Sequence, residues 1–209
     1  MFKYRRVLAF LLDILLVSLI SMLLINNPKI NPNYFVQEEY NNIIKEKMNN
    51  IKVEVTSDAD QVINSMYNQL GQELYDGTKY SVYAMLIFLI VNTLYFTLFT
   101  YCNDGKTLGC AIFKLQIKKR NNKKAGIINL GMRSLFMGSC IITSSPILSI
   151  WMIIMPRLLN AKQAFLPLLY GSTLALIFEI VLLCVFFFNK KGMTIQDYLS
   201  NTKIFDTKR

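Results

Sequence analysis

The chain has 209 residues, of which 53% are hydrophobic, and a formal net charge of +10. It contains no histidine, which excludes Ser-His and Cys-His nucleophile pairs, histidine metal sites and histidine proton relays. Its four cysteines have no metal-ligand spacing, so we expect no metal site and no cofactor, and any proton chemistry must use carboxylates.

Four apolar runs are long enough to cross a bilayer, whose hydrocarbon core of roughly 30 Å needs about 20 residues of helix. They cover residues 7–25, 82–101, 134–155 and 164–188. Charges gather between the runs, which predicts an all-α membrane protein with four transmembrane helices rather than a soluble core. The first run could also be a signal peptide, but its length and the lack of small residues at a cleavage site favour a retained helix.

Asp13 lies in the middle of the first run, and Glu179 is the other charged residue within the four runs. A carboxylate at the centre of a membrane helix costs about 2.5 to 3.5 kcal/mol to insert. Asn92 and Ser144 fall at a similar depth, which predicts a polar layer contributed by all four helices. That layer either binds a proton or a cation, or fixes helix packing through hydrogen bonds worth about 0.6 kcal/mol each.

The distribution of basic residues predicts the orientation. Residues 1–6, residues 102–133 and the segment after Phe188 hold 16 of the 23 Lys and Arg residues. The positive-inside rule therefore places both termini and the middle loop in the cytoplasm. We interpret the net charge as orientation and attraction to an anionic inner leaflet, and expect no nucleic-acid binding.

The loop of residues 26–81, on the outer side in this orientation, has its own pattern. Apolar residues recur at helical spacing from Val36 to Ile51 and again from Val62 to Leu74. This predicts an extracytoplasmic helical hairpin, inserted into a single membrane domain of residues 1–209. The two apolar faces either pack on each other or form a groove for a peptide, lipid or protein partner.

Two segments resemble each other, Gly105–Ile117 and Gly192–Ile204. Each contains Gly-x-Thr followed by apolar residues in register, and Arg6 and Arg133 begin the helices that precede them. A parallel duplication would explain this, although chance similarity is the alternative. The duplication predicts two short cytoplasmic helices whose extended tails, residues 115–118 and 202–205, pair with each other. The Gly105-Lys106-Thr107 sequence ends like a phosphate-binding loop but lacks its first glycine.

These residues together resemble the RDD family of bacterial membrane proteins, named for one arginine and two aspartates. Arg6 and Asp13 match the arginine and first aspartate of its first-helix signature, and Asp197 matches the aspartate of its closing motif. Gly105, Thr107 and Gly109 match the central Gly-x-Thr-Leu-Gly motif. Cys110 departs from the family, which usually has a basic residue there, and the outer hairpin has no counterpart that we can map.

Spacing limits what the three charged residues of this motif can do. Arg6 and Asp13 share a helix face but are about 10 Å apart along the axis, which disfavours direct pairing. Arg6 is then either an interfacial anchor or part of a network with Asp197. Asp197 could also cap the short helix that follows Thr194.

The resemblance implies a multi-pass cell-membrane protein of largely unknown activity, with transport, including cation/proton exchange, proposed for some members. One hypothesis is therefore proton-linked cation transport, with Asp13, Glu179, Asn92 and Ser144 forming the site and a homo-oligomer supplying the pathway. The alternative is a non-catalytic membrane protein that recruits lipid or a protein partner. We expect no enzymatic activity, because no acid-base pair or catalytic constellation accompanies the motifs.

Overall fold

A computed structural model describes residues 2–50, 59–136, 146–189 and 193–207. These residues are mostly helical and include one pair of strands. The helices are α1 (Phe2–Ile25), α2 (Tyr34–Asn50), α3 (Ala59–Tyr80), α4 (Val82–Thr93), α5 (Thr100–Cys102), α6 (Leu108–Ile112), α7 (Ile127–Leu135), α8 (Pro146–Leu158), α9 (Ala161–Phe188) and α10 (Ile195–Leu199). A π-helical turn, Leu94–Phe99, joins α4 to α5, and the strands are β1 (Leu115–Lys119) and β2 (Thr202–Asp206).

Two helical segments within the described residues are long and apolar enough to cross a membrane, Lys3–Ile25 and Val82–Cys102. Only 28% of the most apolar part of each segment is buried inside the protein. The core helix of a soluble protein would be mostly buried, so the outward apolar surface of these two helices fits a hydrocarbon environment. They correspond to the first and second predicted runs.

The other two predicted runs differ in their bounds. The third run was predicted from residue 134, but residues 134–135 end α7, and α8 begins at Pro146. The fourth run corresponds to α9, which has 28 residues. Residues 137–145, which include the predicted site residue Ser144, lie outside the described part of the chain.

One face of α1 is buried, and it carries the polar residues of that helix. The buried positions recur every three or four residues, which is the spacing of one helix face: Arg6, Ala9, Asp13, Val17 and Ser21. The opposite face is apolar and exposed, with Leu8, Leu15, Leu19 and Leu23. Arg6 and Asp13 therefore point into the protein and these leucines point out, while Lys3 and Arg5 near the start of α1 are only half-buried.

α1 packs against α4 and the π-helical turn. Ile14 and Val17 form a buried cluster with Tyr95 and Phe96. Within the turn, the Thr100 N–H bonds to the Tyr95 carbonyl five residues earlier, and the Thr100 hydroxyl donates to the same carbonyl at 3.1 Å. Such a turn locally changes the direction of side chains along a helix, and Tyr95 is the residue it places beside Asp13 (see below).

A second cluster joins α1 to α6, β1, α7 and β2. We use the name strand-pair unit for α6, β1, α7, α10 and β2, since α10 contacts α7 and β2. β1 and β2 are antiparallel, with Ile117 opposite Ile204 and Gln116 opposite Phe205. This confirms the predicted pairing of the two extended tails. The shared core consists of Ala9, Cys110, Leu115, Ile117, Ala125, Leu130 and Ile204.

α2 and α3 pack on each other. The Tyr40 and Tyr80 rings are stacked with centroids 5.3 Å apart, and Lys47 forms an ion pair with Glu73. α3 also contacts α8 and α9. The Tyr75 hydroxyl of α3 donates to the Pro156 carbonyl of α8 at 2.9 Å. The apolar face of α3 is therefore shared between α2 and the α8–α9 pair.

Candidate functional site

The carboxylate of Asp13, a residue of α1, lies beside the N-terminus of the short helix α6. The first backbone N–H groups of a helix lack intrahelical partners. In α6 the first three residues each donate their N–H to a side chain. The acceptors are Tyr95 Oη for Leu108 N–H (3.1 Å), Asp13 Oδ1 for Gly109 N–H (2.7 Å) and Thr107 Oγ for Cys110 N–H (3.0 Å). The start of α6 is thus completed by side chains from α1 and from the π-helical turn as well as by its own N-cap residue.

The same two hydroxyls donate to Asp13. Tyr95 Oη donates to Oδ1 and Thr107 Oγ donates to Oδ2, both at 2.6 Å. Because each hydroxyl already accepts a backbone N–H, its own proton is directed at the carboxylate. Asp13 therefore receives three hydrogen bonds, which suits an ionised carboxylate, since that group only accepts. Asp13 is only 2% exposed.

The two glycines of the central motif have different structural roles. A Cβ at Gly109 would overlap the carbonyl of Ala9, so only glycine lets α6 approach α1 closely enough to reach Asp13. Gly105 has a φ of +79° and its carbonyl accepts the Ile117 N–H at 2.7 Å, which ties the loop after α5 to β1. Thr107 lies between them as the N-cap of α6.

Asp197 occupies the corresponding place in α10. Its Oδ2 accepts the Thr194 N–H at 2.9 Å, while Thr194 Oγ accepts the Asp197 N–H at 3.2 Å. This reciprocal pair is a capping box with aspartate in its third position. The predicted capping role of Asp197 is confirmed.

Two buried arginines also bind Asp197. Arg6 Nη2 donates to Oδ2 at 2.9 Å, and Arg133 Nη1 donates to Oδ1 and, at 3.1 Å, to Thr202 Oγ. The Arg6 and Arg133 side chains are each 5% exposed and that of Asp197 is 0% exposed. Of the two predicted roles for Arg6, the network with Asp197 is the one the structure contains. Arg6 also lies over the Phe186 ring, 5.1 Å from its centroid.

The two guanidinium groups determine the protonation of Asp197. Burial by itself would raise the pKa of this carboxyl group, but the charges of Arg133 and Arg6 and the hydrogen bonds from Arg133 and Thr194 outweigh it. They lower the pKa from 3.8 to about 2. Asp197 is therefore ionised at every pH at which the protein would work.

Of the four predicted members of the polar layer, the structure describes the side chains of two, Asp13 and Asn92, and no hydrogen bond joins them. Asp13 bonds to Tyr95, Thr107 and Gly109, and Asn92 does not join them. Asn92 is buried on α4, where its amide nitrogen lacks a hydrogen-bond partner among the described residues. Glu179 belongs to α9, but the structure does not describe its side chain.

Sequence reasoning did not assign Tyr95 or Arg133 to the site. Tyr95 sits in an apolar run, and only the π-helical turn brings it to Asp13, so its sequence position carried no signal. Arg133 did carry one, because the internal repeat aligned it with Arg6. Among the described residues, no three His, Cys, Asp or Glu side chains are arranged to hold a metal ion.

The Asp197 cluster predicts a specific pH dependence. Because the folded-state pKa is lowered, the stabilisation by Asp197 is complete above its ordinary pKa of 3.8 and is lost as the pH falls towards about 2. Asp197→Asn should cost about 3 to 5 kcal/mol near neutral pH, since it leaves two buried guanidinium groups without a counter-charge. The difference in unfolding temperature between wild type and variant, measured in detergent micelles, should shrink between pH 4 and pH 2.

Asp104→Asn is the matched control, because it removes an exposed carboxylate that pairs with Lys124. It should leave the unfolding temperature at neutral pH nearly unchanged. An Asp197→Asn variant as stable as the wild type at neutral pH would contradict the cluster.

A second prediction concerns the approach of α6 to α1. Gly109→Ala should lower the unfolding temperature and loosen the strand-pair unit, because the added methyl group meets backbone that must shift and separates Gly109 N–H from Asp13. Gly131→Ala is the control: a Cβ there lies 3.8 Å from Thr97, an ordinary contact, and alanine favours helix α7. Limited proteolysis between residues 103 and 126 should increase for Gly109→Ala alone.

Comparison with known protein families gives a match over most of the chain. No curated protein and no solved structure matches the chain. The model of the RDD family matches residues 3–201, a range that contains Arg6, Asp13, the central motif and Asp197. With its outward-facing apolar helices, this match identifies a membrane protein, and the chain belongs to the RDD family.

Proposed function

We propose that this protein is a non-catalytic membrane module for binding or assembly, with the strand-pair unit as its rigid cytoplasmic part. The observation that supports this best is the use of Asp13. Both of its oxygens accept hydrogen bonds that fasten α6 to α1. Asp197 fastens α10 to α1 and α7 in a similar way.

The surroundings of Asp13 do not resemble a cation site. A hard cation is held by several oxygen atoms, usually carboxylates, carbonyls and waters. Here the Tyr95 hydroxyl, the Thr107 hydroxyl and the Gly109 amide all direct protons at the carboxylate. A cation would have to displace all three donors and would leave the first turn of α6 without its acceptors.

In this proposal α1, the α4–α5 segment and α9 cross the membrane, α8 forms part of a further crossing, and both termini are cytoplasmic. The positive-inside rule supports this, since the exposed basic residues of the strand-pair unit would then face an anionic leaflet. α2 and α3 lie on the outer side, where exposed Phe35 offers a contact for a protein or peptide partner. Homo-oligomers are compatible with this arrangement.

Proton-linked cation transport is the second candidate, and one observation favours it. Ser18 and Ser21 on α1 and Asn92 on α4 have buried polar atoms that lack partners among the described residues. α1 and α4 pack against each other, so these three groups would line a polar path between the two helices. Such a path would use an oligomer and would leave Asp13 in its structural role.

The topology can be tested by thiol labelling in intact cells. Cysteines introduced by Asn49→Cys and Asn68→Cys, at exposed positions of α2 and α3, should react with an impermeant maleimide. Exposed Cys102 should react only after the membrane is permeabilised, because we place it on the cytoplasmic side. Labelling of Cys102 in intact cells together with protection of both introduced cysteines would reverse the orientation.

A pH-gradient assay separates the two candidate functions, and Asp13→Asn tests whether this carboxylate itself takes part in transport. The amide removes the charge but keeps the volume and can still accept hydrogen bonds at one oxygen, so we expect a folded protein destabilised by about 1 to 3 kcal/mol. In proteoliposomes, wild type and variant should both leave an imposed pH gradient intact when sodium or potassium is added. A wild-type gradient that collapses with cation, and a folded Asp13→Asn variant that does not respond, would establish transport through this carboxylate instead.

A further inference from the structure

The helix α7 buries polar residues together with Leu130 on its inner side and exposes apolar residues on its outer side. Arg133 and Ser134 are buried, and the Arg133 guanidinium binds Asp197. Ile128, Met132 and Leu135 recur at the i, i+4, i+7 spacing of one helix face. On this face Ile128 is 81% exposed and Met132 is 41% exposed. A helix at a water-exposed surface shows the opposite arrangement.

Basic residues directly precede this apolar face along the chain. Residues 118–124 read Lys-Lys-Arg-Asn-Asn-Lys-Lys, and Arg120, Lys123 and Lys124 are exposed. The segment turns back on itself, since Lys119 N–H bonds to the Lys123 carbonyl at 2.9 Å. The five cations of this segment are therefore gathered in one tight turn at the start of α7, and we call residues 118–124 the basic turn.

Neighbouring elements extend both features. α6 exposes Ile112 and α10 exposes Tyr198 and Leu199, while α7 contacts α10, α5 and the π-helical turn of the second candidate span. The outward face of α7 is thus close to the surface that the Val82–Cys102 helix presents to the bilayer. An apolar face beside a membrane helix, flanked by cations, has the composition of an interfacial helix.

We infer that the Ile128–Met132–Leu135 face of α7 is inserted into the bilayer at the boundary between headgroups and acyl chains, with the basic turn bound to anionic lipid headgroups. The occupant of this face is thus a lipid surface rather than a protein. The inference rests on the proposed function as a membrane module and names the partner of its strand-pair unit. The buried cluster of Arg133 with Asp197 determines which face of α7 points outward.

Tryptophan fluorescence can locate this face in the bilayer. The chain has one tryptophan, so a Trp151→Phe background allows Ile128→Trp to report its surroundings. The full-length protein would be reconstituted in vesicles of phosphatidylcholine and phosphatidylglycerol whose acyl chains are brominated close to the glycerol. We expect blue-shifted emission, loss of most of the intensity to the bromines and little quenching by aqueous iodide.

Asn121→Trp in the same background is the matched control, because Asn121 is an exposed polar residue of the basic turn. Its emission should be quenched by iodide and not by the acyl-chain bromines. If the tryptophan at position 128 behaves like this control, the inserted face is ruled out. Shielding from both iodide and bromines would also overturn the inference, since it would place a second protein copy on α7.

The preference of the basic turn for anionic lipid can be measured separately. Bromines placed only on phosphatidylglycerol should quench the tryptophan at position 128 more strongly than the same bromines placed only on phosphatidylcholine. The double variant Lys119→Gln, Lys123→Gln should lose this preference and keep the blue shift. If the two brominated lipids quench the tryptophan at position 128 equally while the basic turn is unaltered, the basic turn does not select anionic lipid.

The fluorescence results do not depend on cation flux or on thiol accessibility. If residue 128 is exposed to water and the proteoliposomes show no cation-dependent loss of the pH gradient, the lipid contact is rejected and the proposed module is retained. A cation-dependent flux abolished by Asp13→Asn, with residue 128 inserted, would reject the proposed function and leave the lipid contact standing.

Discussion

The buried cluster of Arg6, Asp197 and Arg133 determines how the strand-pair unit is joined to α1. One carboxylate compensates two guanidinium groups that are almost completely removed from solvent. Desolvating these charges is expensive, so the arrangement is stable only when all three groups are in place with their hydrogen bonds. Because the members come from α1, α10 and α7, the cluster fixes the relative positions of three elements that are far apart in sequence. Asp13 of α1 also binds α6, which adds a fourth element to the three that the cluster positions.

The two halves of the internal repeat solve the same capping problem with different residues. In α10 the carboxylate comes from the third residue of the helix itself, Asp197. In α6 that position is Cys110, and the carboxylate comes from Asp13 on α1. Burial raises the pKa of the Cys110 thiol, which keeps this side chain neutral within the shared core.

Several of these contacts could be predicted from the sequence, and those that could not have identifiable physical reasons. The seven-residue interval between Arg6 and Asp13 correctly predicted that they do not pair, because helix geometry alone decides it. The repeat correctly predicted the pairing of β1 with β2, because register follows the apolar pattern. The partners of Asp13 could not be predicted, since Tyr95 reaches it through a π-helical turn that no residue type specifies. The sequence pattern did not indicate α7 as a separate helix, because its apolar stripe faces outward. Its residues up to 133 belong to the predicted middle loop, and residues 134–135 belong to the predicted third run.

The strand-pair unit depends on α1 for its existence. α6 and α10 have five residues each, too few to form a stable helix in isolation, and a single pair of five-residue strands is marginal by itself. Their stability therefore comes from Asp13, Arg6 and the core around Ala9. β2 and Asp197 lie near the end of the described sequence, so neither the strand pair nor the ion cluster can form before the residues up to 206 have been synthesised. Until then Arg6 and Arg133 lack the carboxylate that compensates them. The formation of this ion cluster is accordingly a late step, in which the strand-pair unit and α1 become one structure.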